Sequence, residues 1–390
     1  MSDLPANNSN FSKDNFVWPE EALQKNLSGK KMPARGVKQQ LLGASVLILY
    51  IAPIMMAATL IEPFFKDELL KKAVNICVFF FGGLSIVMVF STAPSLVASL
   101  YQQRRLKQAE SLCRLYLFLV GNFSPYSYET ALMYGLLAEV LKADARFDEA
   151  EKAIRHGIEA CVVNENLTAS SSLEDIPDQY KKLAQQSLNL SMPTKGMLYE
   201  TFGSILRDKK MYKQAVEAGK RSIKSIEDKL RQAQTIPKDS SRIGILSPDK
   251  IKPMTLALAS TQYELALTYL AQNNYEQALP LLKSARKIRE EHLSTPYYMA
   301  NVLSALGRVY ISTNETEKAL NCGQEALALL ENAKLPVEQL ARSRALDVMS
   351  KAGSIKGKLE DSKRLGLEAK EIRERWLAPA DPERAASSLD

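Results

Sequence analysis

Residues Thr261 to Ile288 read TQYELALTYLAQNNYEQALPLLKSARKI, and the spacing within them decides the fold. Leu265, Ala266 and Tyr269 mark one face of a first helix, and Ala278, Leu282 and Ala285 mark one face of a second. Small side chains let two helices cross closely, and large ones fill the groove toward whatever packs next. Such a pair cannot bury its apolar face alone, so copies of it should stack.

Copies are present on both sides. NVLSALGRVYISTNETEKALNCGQEALAL places Leu306, Gly307, Tyr310, Ala319, Gly323 and Ala326 at the same offsets. Upstream, LYETFGSILRDKKMYKQAVEAGKRSI supplies Phe202, Gly203, Leu206, Ala215, Gly219 and Ser222, and MYGLLAEVLKADARFDEAEKAIRHGI supplies Leu137, Ala138, Leu141, Ala150, Ile154 and Gly157. A last, weaker copy runs through Met349, Ser350, Gly353, Ser362, Gly366 and Ala369. These offsets resemble the tetratricopeptide repeat (TPR), with a small residue at position 8, a large one at 11, Ala at 20 and a small one at 27. Position 8 falls at Ala138, Gly203, Ala266, Gly307 and Ser350, at intervals of 65, 63, 41 and 43. The shorter intervals are similar to the 42-residue variant of kinesin-light-chain-like arrays. The longer ones predict insertions near 161–195, with a helix of its own over Asp178 to Leu190, and near 235–253, an exposed Pro/Ser-rich loop.

Ahead of the repeats lie two apolar segments. No charged residue occurs over the 23 positions from Gln39 to Ile61 or the 31 from Ala73 to Gln103. At 1.5 Å per residue each suffices for a hydrocarbon core of roughly 30 Å. The reading is therefore a two-helix transmembrane hairpin within 39–103, with spans at about 41–61 and 74–100 joined by Glu62 to Lys72. Eight Lys/Arg flank the hairpin, Lys30, Lys31, Arg35, Lys38, Arg104, Arg105, Lys107 and Arg114, against Lys66, Lys71 and Lys72 in the connector. That asymmetry predicts a two-pass integral membrane protein with both termini cytoplasmic, in a bacterial inner membrane ahead of an organelle envelope. Cys113, Cys161 and Cys322 would then stay reduced, with Cys77 inside the second span. Arg104, Arg105 and Lys107 would sit at headgroup level on a continuous second helix, a bend at Arg104 being the alternative.

The whole chain is thus expected to be all-α, a transmembrane helical hairpin followed by an α-solenoid of about five TPR-like hairpins over 104–378. Residues 1–38 and 379–390 are expected to be mostly disordered tails, with Trp18-Pro19 a short docking motif in the first. The net charge of +7 is dilute, five of it spread over residues 101–390, and lacks the clustered basic and aromatic surface of a nucleic-acid binder.

Two His and four Cys without metal-ligand spacing, and no phosphate loop or nucleophile motif, leave catalytic, cofactor and metal sites all empty. The TPR resemblance implies a protein or peptide ligand in a concave groove lined by positions 5, 9 and 12. The carboxylate clamp for chaperone C-terminal tails asks for Lys and Asn at 5 and 9, and none of the five copies matches, so those tails are not expected ligands. The candidate groove is Tyr263, Leu267 and Leu270 in one repeat, followed by the basic side chains Arg308 and Lys351 in the next two. An apolar anchor on the leucines and a carboxylate between the cations would suit it. The function expected is a membrane-anchored scaffold, or alternatively a non-catalytic subunit of a transport or envelope-assembly complex.

Overall fold

Six times among the described residues a helix ends on the same hydrogen-bonded turn, and those turns define the architecture. A computed structural model describes residues 16–22, 92–121, 125–170, 194–234, 248–292 and 295–384. Among them, after a single helical turn at 19–22, the longer helices are α1 (92–102), α2 (Leu106–Leu119), α3 (Tyr128–Ala143), α4 (Phe147–Ser170), α5 (Thr194–Asp208) and α6 (Tyr212–Gln234). They continue with α7 (Pro248–Ala271), α8 (Tyr275–Glu291), α9 (Pro296–Ser312), α10 (Thr316–Leu329), α11 (Pro336–Ile355) and α12 (Leu359–Trp376).

After each odd-numbered helix one residue adopts positive φ: Arg104, Ala145, Lys210, Asn273, Asn314 and Gly357. The N–H of that residue and of the next fold back on the helix's last turn, as in Ala145 to the Lys142 carbonyl and Arg146 to the Leu141 carbonyl. This double bond satisfies orphan carbonyls at the helix end and reverses the chain into the next helix. Only Gly357 takes the left-handed conformation without a Cβ penalty, and the Asn residues tolerate it better than Ala, Lys or Arg.

Five residues beyond each turn sits a small, buried side chain: Ala109, Ala150, Ala215, Ala278, Ala319 and Ser362. There the second helix crosses the first. Hairpins α3/α4, α5/α6, α7/α8, α9/α10 and α11/α12 pack tightly within themselves and stack on their neighbours. The result is an all-α solenoid of helix pairs. One core joins α1 to α6 through Val97, Cys113, Leu137, Ile154 and Phe202, and another joins α7 to α11 through Leu282, Leu303 and Ala345.

The expected membrane anchor is corrected here. Among the described residues no helix is long and apolar enough to cross a membrane, which overturns the two-pass integral membrane topology with cytoplasmic termini. The span at 41–61 and residues 74–91 of the second span lie outside the described residues. Residues 92–100, which that span was expected to include, belong instead to α1, the first helix of a further hairpin. Ala93 and Val97 are buried in the repeat core while Leu96 is 52% exposed, so the helix has a protein-facing and a solvent-facing side. The chain bends at Arg104, whose guanidinium is not at a headgroup: its Nε donates to the Trp376 carbonyl at 3.0 Å and its Nη2 to the Ala143 carbonyl at 3.3 Å. Within 92–100, Ala93 and Val97 find their apolar surroundings in protein neighbours.

Two other boundaries shift. The second helix of α3/α4 continues to Ser170, into the first expected insertion, and α7 starts at Pro248 and runs through Pro253, where a loop was expected. The helix expected over Asp178 to Leu190 lies outside the described residues. At the C-terminus, residues 377–384 are placed against the array rather than loose, held by consecutive turns and by the Arg384 guanidinium donating to the Leu377 carbonyl at 2.8 Å.

Candidate functional site

On the odd-numbered helices, positions 5, 9 and 12 lie three or four residues apart and so share one side. In α3 and α5 these positions carry charge. The Lys142 ammonium lies 3.3 Å from Glu139 and donates to the Ser204 hydroxyl at 2.8 Å, which links the first helices of two hairpins. Burial works against the charge on Lys142, but Glu139, Glu264 and Asp208 outweigh it and hold the group protonated. Arg207 pairs with Glu264 at 2.7 Å and Asp208 at 3.3 Å. Burial alone would raise Glu264, yet Arg207 and Lys142 keep it below the usual carboxylate range. Glu200 has no such partner. Burial, reinforced by Glu264, pushes it up to about 8, and it accepts a hydrogen bond from the Thr261 hydroxyl at 2.7 Å.

The expected site residues do not form one patch. Leu270 is buried in the hydrophobic core at 4% exposure, and Leu267 and Tyr263 pack at the edge of the same cluster, so an anchor on both leucines would have to enter the core. Arg308 is exposed. Lys351 faces Asp347, whose carboxyl burial raises and Arg373 partly restores. Arg373 is itself buried and paired with Asp347.

The C-terminal segment brings a carboxylate of this chain to α11. Glu383 accepts two hydrogen bonds from Arg344, from Nε at 2.5 Å and from Nη2 at 2.7 Å, while Arg344 Nη1 donates to the Asn301 side-chain carbonyl at 2.9 Å. Burial favours the neutral acid, but Arg344, with Arg373 and Arg308 at longer range, keeps Glu383 ionised. A forked pair of this kind is the strong form of carboxylate recognition. Arg344 stands at position 2 of its repeat, outside positions 5, 9 and 12 on which the sequence reading rests. That position is also a cation in the clamp pattern, and this was the available signal.

The buried thiols of Cys113 and Cys161 are pushed up to about 12, above all by burial, and so stay protonated at neutral pH. Among the described residues no cluster of His, Cys, Asp and Glu could hold a metal ion.

Residues 257–332, from within α7 to just beyond α10, match the tetratricopeptide repeat family. Over those residues the two hairpins match TPR repeats. No curated protein sequence matches the chain. Solved structures with a similar helical arrangement include BtubC (BKLC) from P. vanneervenii, at 16% identity and a TM-score of 0.40, covering 75% of this chain and 95% of that one. A putative kinesin light chain of Podosopora anserina with nearly identical TPR-like repeats is 12% identical, with a TM-score of 0.35 and coverage of 62% and 93%. The assembly chaperone of RpL4, Acl4 (residues 1–338), is 13% identical, with a TM-score of 0.36 and coverage of 73% and 97%.

Proposed function

We propose that this TPR protein is a protein-binding scaffold whose concave face receives an acidic segment of a partner, seated where Glu383 now sits. The observation that carries the reading is the forked Arg344–Glu383 pair, made by a short irregular segment rather than by a helix of the array. A partner would supply a carboxylate to Arg344 and Arg308 and displace residues 377–384. The charged lining contributed by Lys142 and Arg207 is already neutralised by Glu139, Glu264 and Asp208, so the cations left for a partner are Arg308 and, once Glu383 is displaced, Arg344. Lys351 faces Asp347 and contributes less than first expected.

The test uses a labelled peptide of residues 377–390 and a chain ending at Trp376. The shortened chain should bind the peptide at least about tenfold more tightly than the full chain, since the tethered copy no longer competes. Arg344→Glu in the shortened chain should abolish binding, and Arg308→Glu should weaken it. A shortened chain that does not bind, or one whose binding survives Arg344→Glu, rules the concave site out.

A further inference from the structure

Residues 16–22 return from the other end of the sequence and occupy a slot on a different face of the array. Its floor is Tyr199 and Phe202 of α5, both buried, and its walls are Arg155 of α4 and Arg221 of α6. Tyr199 and Phe202 stand at positions 4 and 7 of their repeat, whereas Glu200, Ser204 and Arg207 at 5, 9 and 12 turn toward the concave face. The slot is therefore separate from the Arg344 site.

Phe16 stacks on Phe202 at 6.0 Å between ring centres, with the Arg155 guanidinium 4.9 Å from the Phe16 ring and 5.0 Å from the Phe202 ring. Trp18 stands edge-on to Phe202 at 6.0 Å and lies under the Arg221 guanidinium, 4.0 Å from the ring centre. Val17 between them points outward, and its carbonyl accepts from Arg155 Nη1 at 2.7 Å. Pro19 is buried, and Glu20 closes the rim with Arg221 at 3.1 Å and Lys195 at 3.2 Å. Each feature has its own chemical preference: aromatic anchors for the floor, a π-face for each guanidinium, a carboxylate for the rim. The match is residue by residue.

We infer that this slot is a recognition site for short segments of the pattern aromatic–x–Trp–Pro–acidic, and that the chain's own residues 16–20 are its resident occupant. A partner segment of the same pattern would enter only by displacing them.

Trp18 and Trp376 are the two tryptophans of the chain, so Trp376→Phe in the full-length protein leaves Trp18 as the sole reporter. Its emission should be blue-shifted and shielded from acrylamide, and adding Arg221→Glu should shift it red and raise quenching about threefold as the overlying cation is lost. In a second measurement, a labelled peptide of residues 14–23 should bind the full chain carrying Trp18→Ala and Glu20→Ala. It should bind the wild type at least about tenfold more weakly, because the tethered segment competes, and should fail to bind once Arg221→Glu is added to the vacated chain. Solvent-exposed Trp18 emission in the folded protein, equal peptide binding by wild type and vacated chain, or binding indifferent to Arg221→Glu would each overturn the inference.

Discussion

Gly307 shows how much a single position constrains the array. A Cβ built there would lie 2.5 Å from Val348 Cγ1 of α11, in the next hairpin, not against its own partner α10. At Gly203 the tight approach is within the pair instead, 3.3 Å from the Ala215 carbonyl. The small residue at position 8 was legible in the sequence, but which neighbour it admits was not, because the offset is the same in either case. Valine has little χ1 freedom with which to yield. Gly307→Ala should therefore cost about 1–3 kcal/mol by overpacking, read as a lowered melting temperature, while exposed Gln272→Ala should change stability by less than about 0.5 kcal/mol. Equal effects of the two would mean that the register is wrong.

Among the helices, α1 carries the largest revision. Its residues belong to an uncharged stretch long enough to span a bilayer, and composition alone does not separate a lipid-facing helix from one half-buried in protein. The turn at Arg104 and the buried Ala109 beyond it reproduce the other five hairpins, so 92–119 is read as a sixth. Adjacent residues test this. Val97→Asp should place an uncompensated charge in the core and destabilise the array by about 3–5 kcal/mol, whereas Leu96→Asp, next to it but 52% exposed, should be nearly neutral. In a lipid-embedded span both would be costly. Thermal melting of the two variants, followed by helical circular dichroism, decides between them.

Across the whole molecule, the first and last hairpins meet. Arg104 spans from the turn after α1 to the end of α12 through Trp376 and to α3 through Ala143, so one guanidinium ties the two ends of the array together. Beyond α12, residues 377–384 bring Glu383 to Arg344. Arg104→Ala should cost on the order of 1–3 kcal/mol, the range for a charged donor leaving two carbonyls. It should also enlarge the radius of gyration in solution scattering, whereas exposed Gln103→Ala should leave it unchanged. An unaltered radius in the Arg104 variant would show that the ends are held by other contacts.

The sequence by itself determined that the chain folds as stacked helical hairpins and where five of them lie, because helical period and the small residues at crossing points are local properties written at fixed spacing. It did not determine what those helices meet. Hydrophobic burial is non-directional, so the apolar residues of 92–100 are equally consistent with lipid and with a protein neighbour until α2 and α3 are placed beside them. The two segments that pack onto the array, 16–22 and 377–384, are distant in sequence from the side chains they touch. Trp18 lies under Arg221, some 200 positions away, and Glu383 is held by Arg344. Neither pairing follows from helical period or local spacing, and only the tertiary structure decided them.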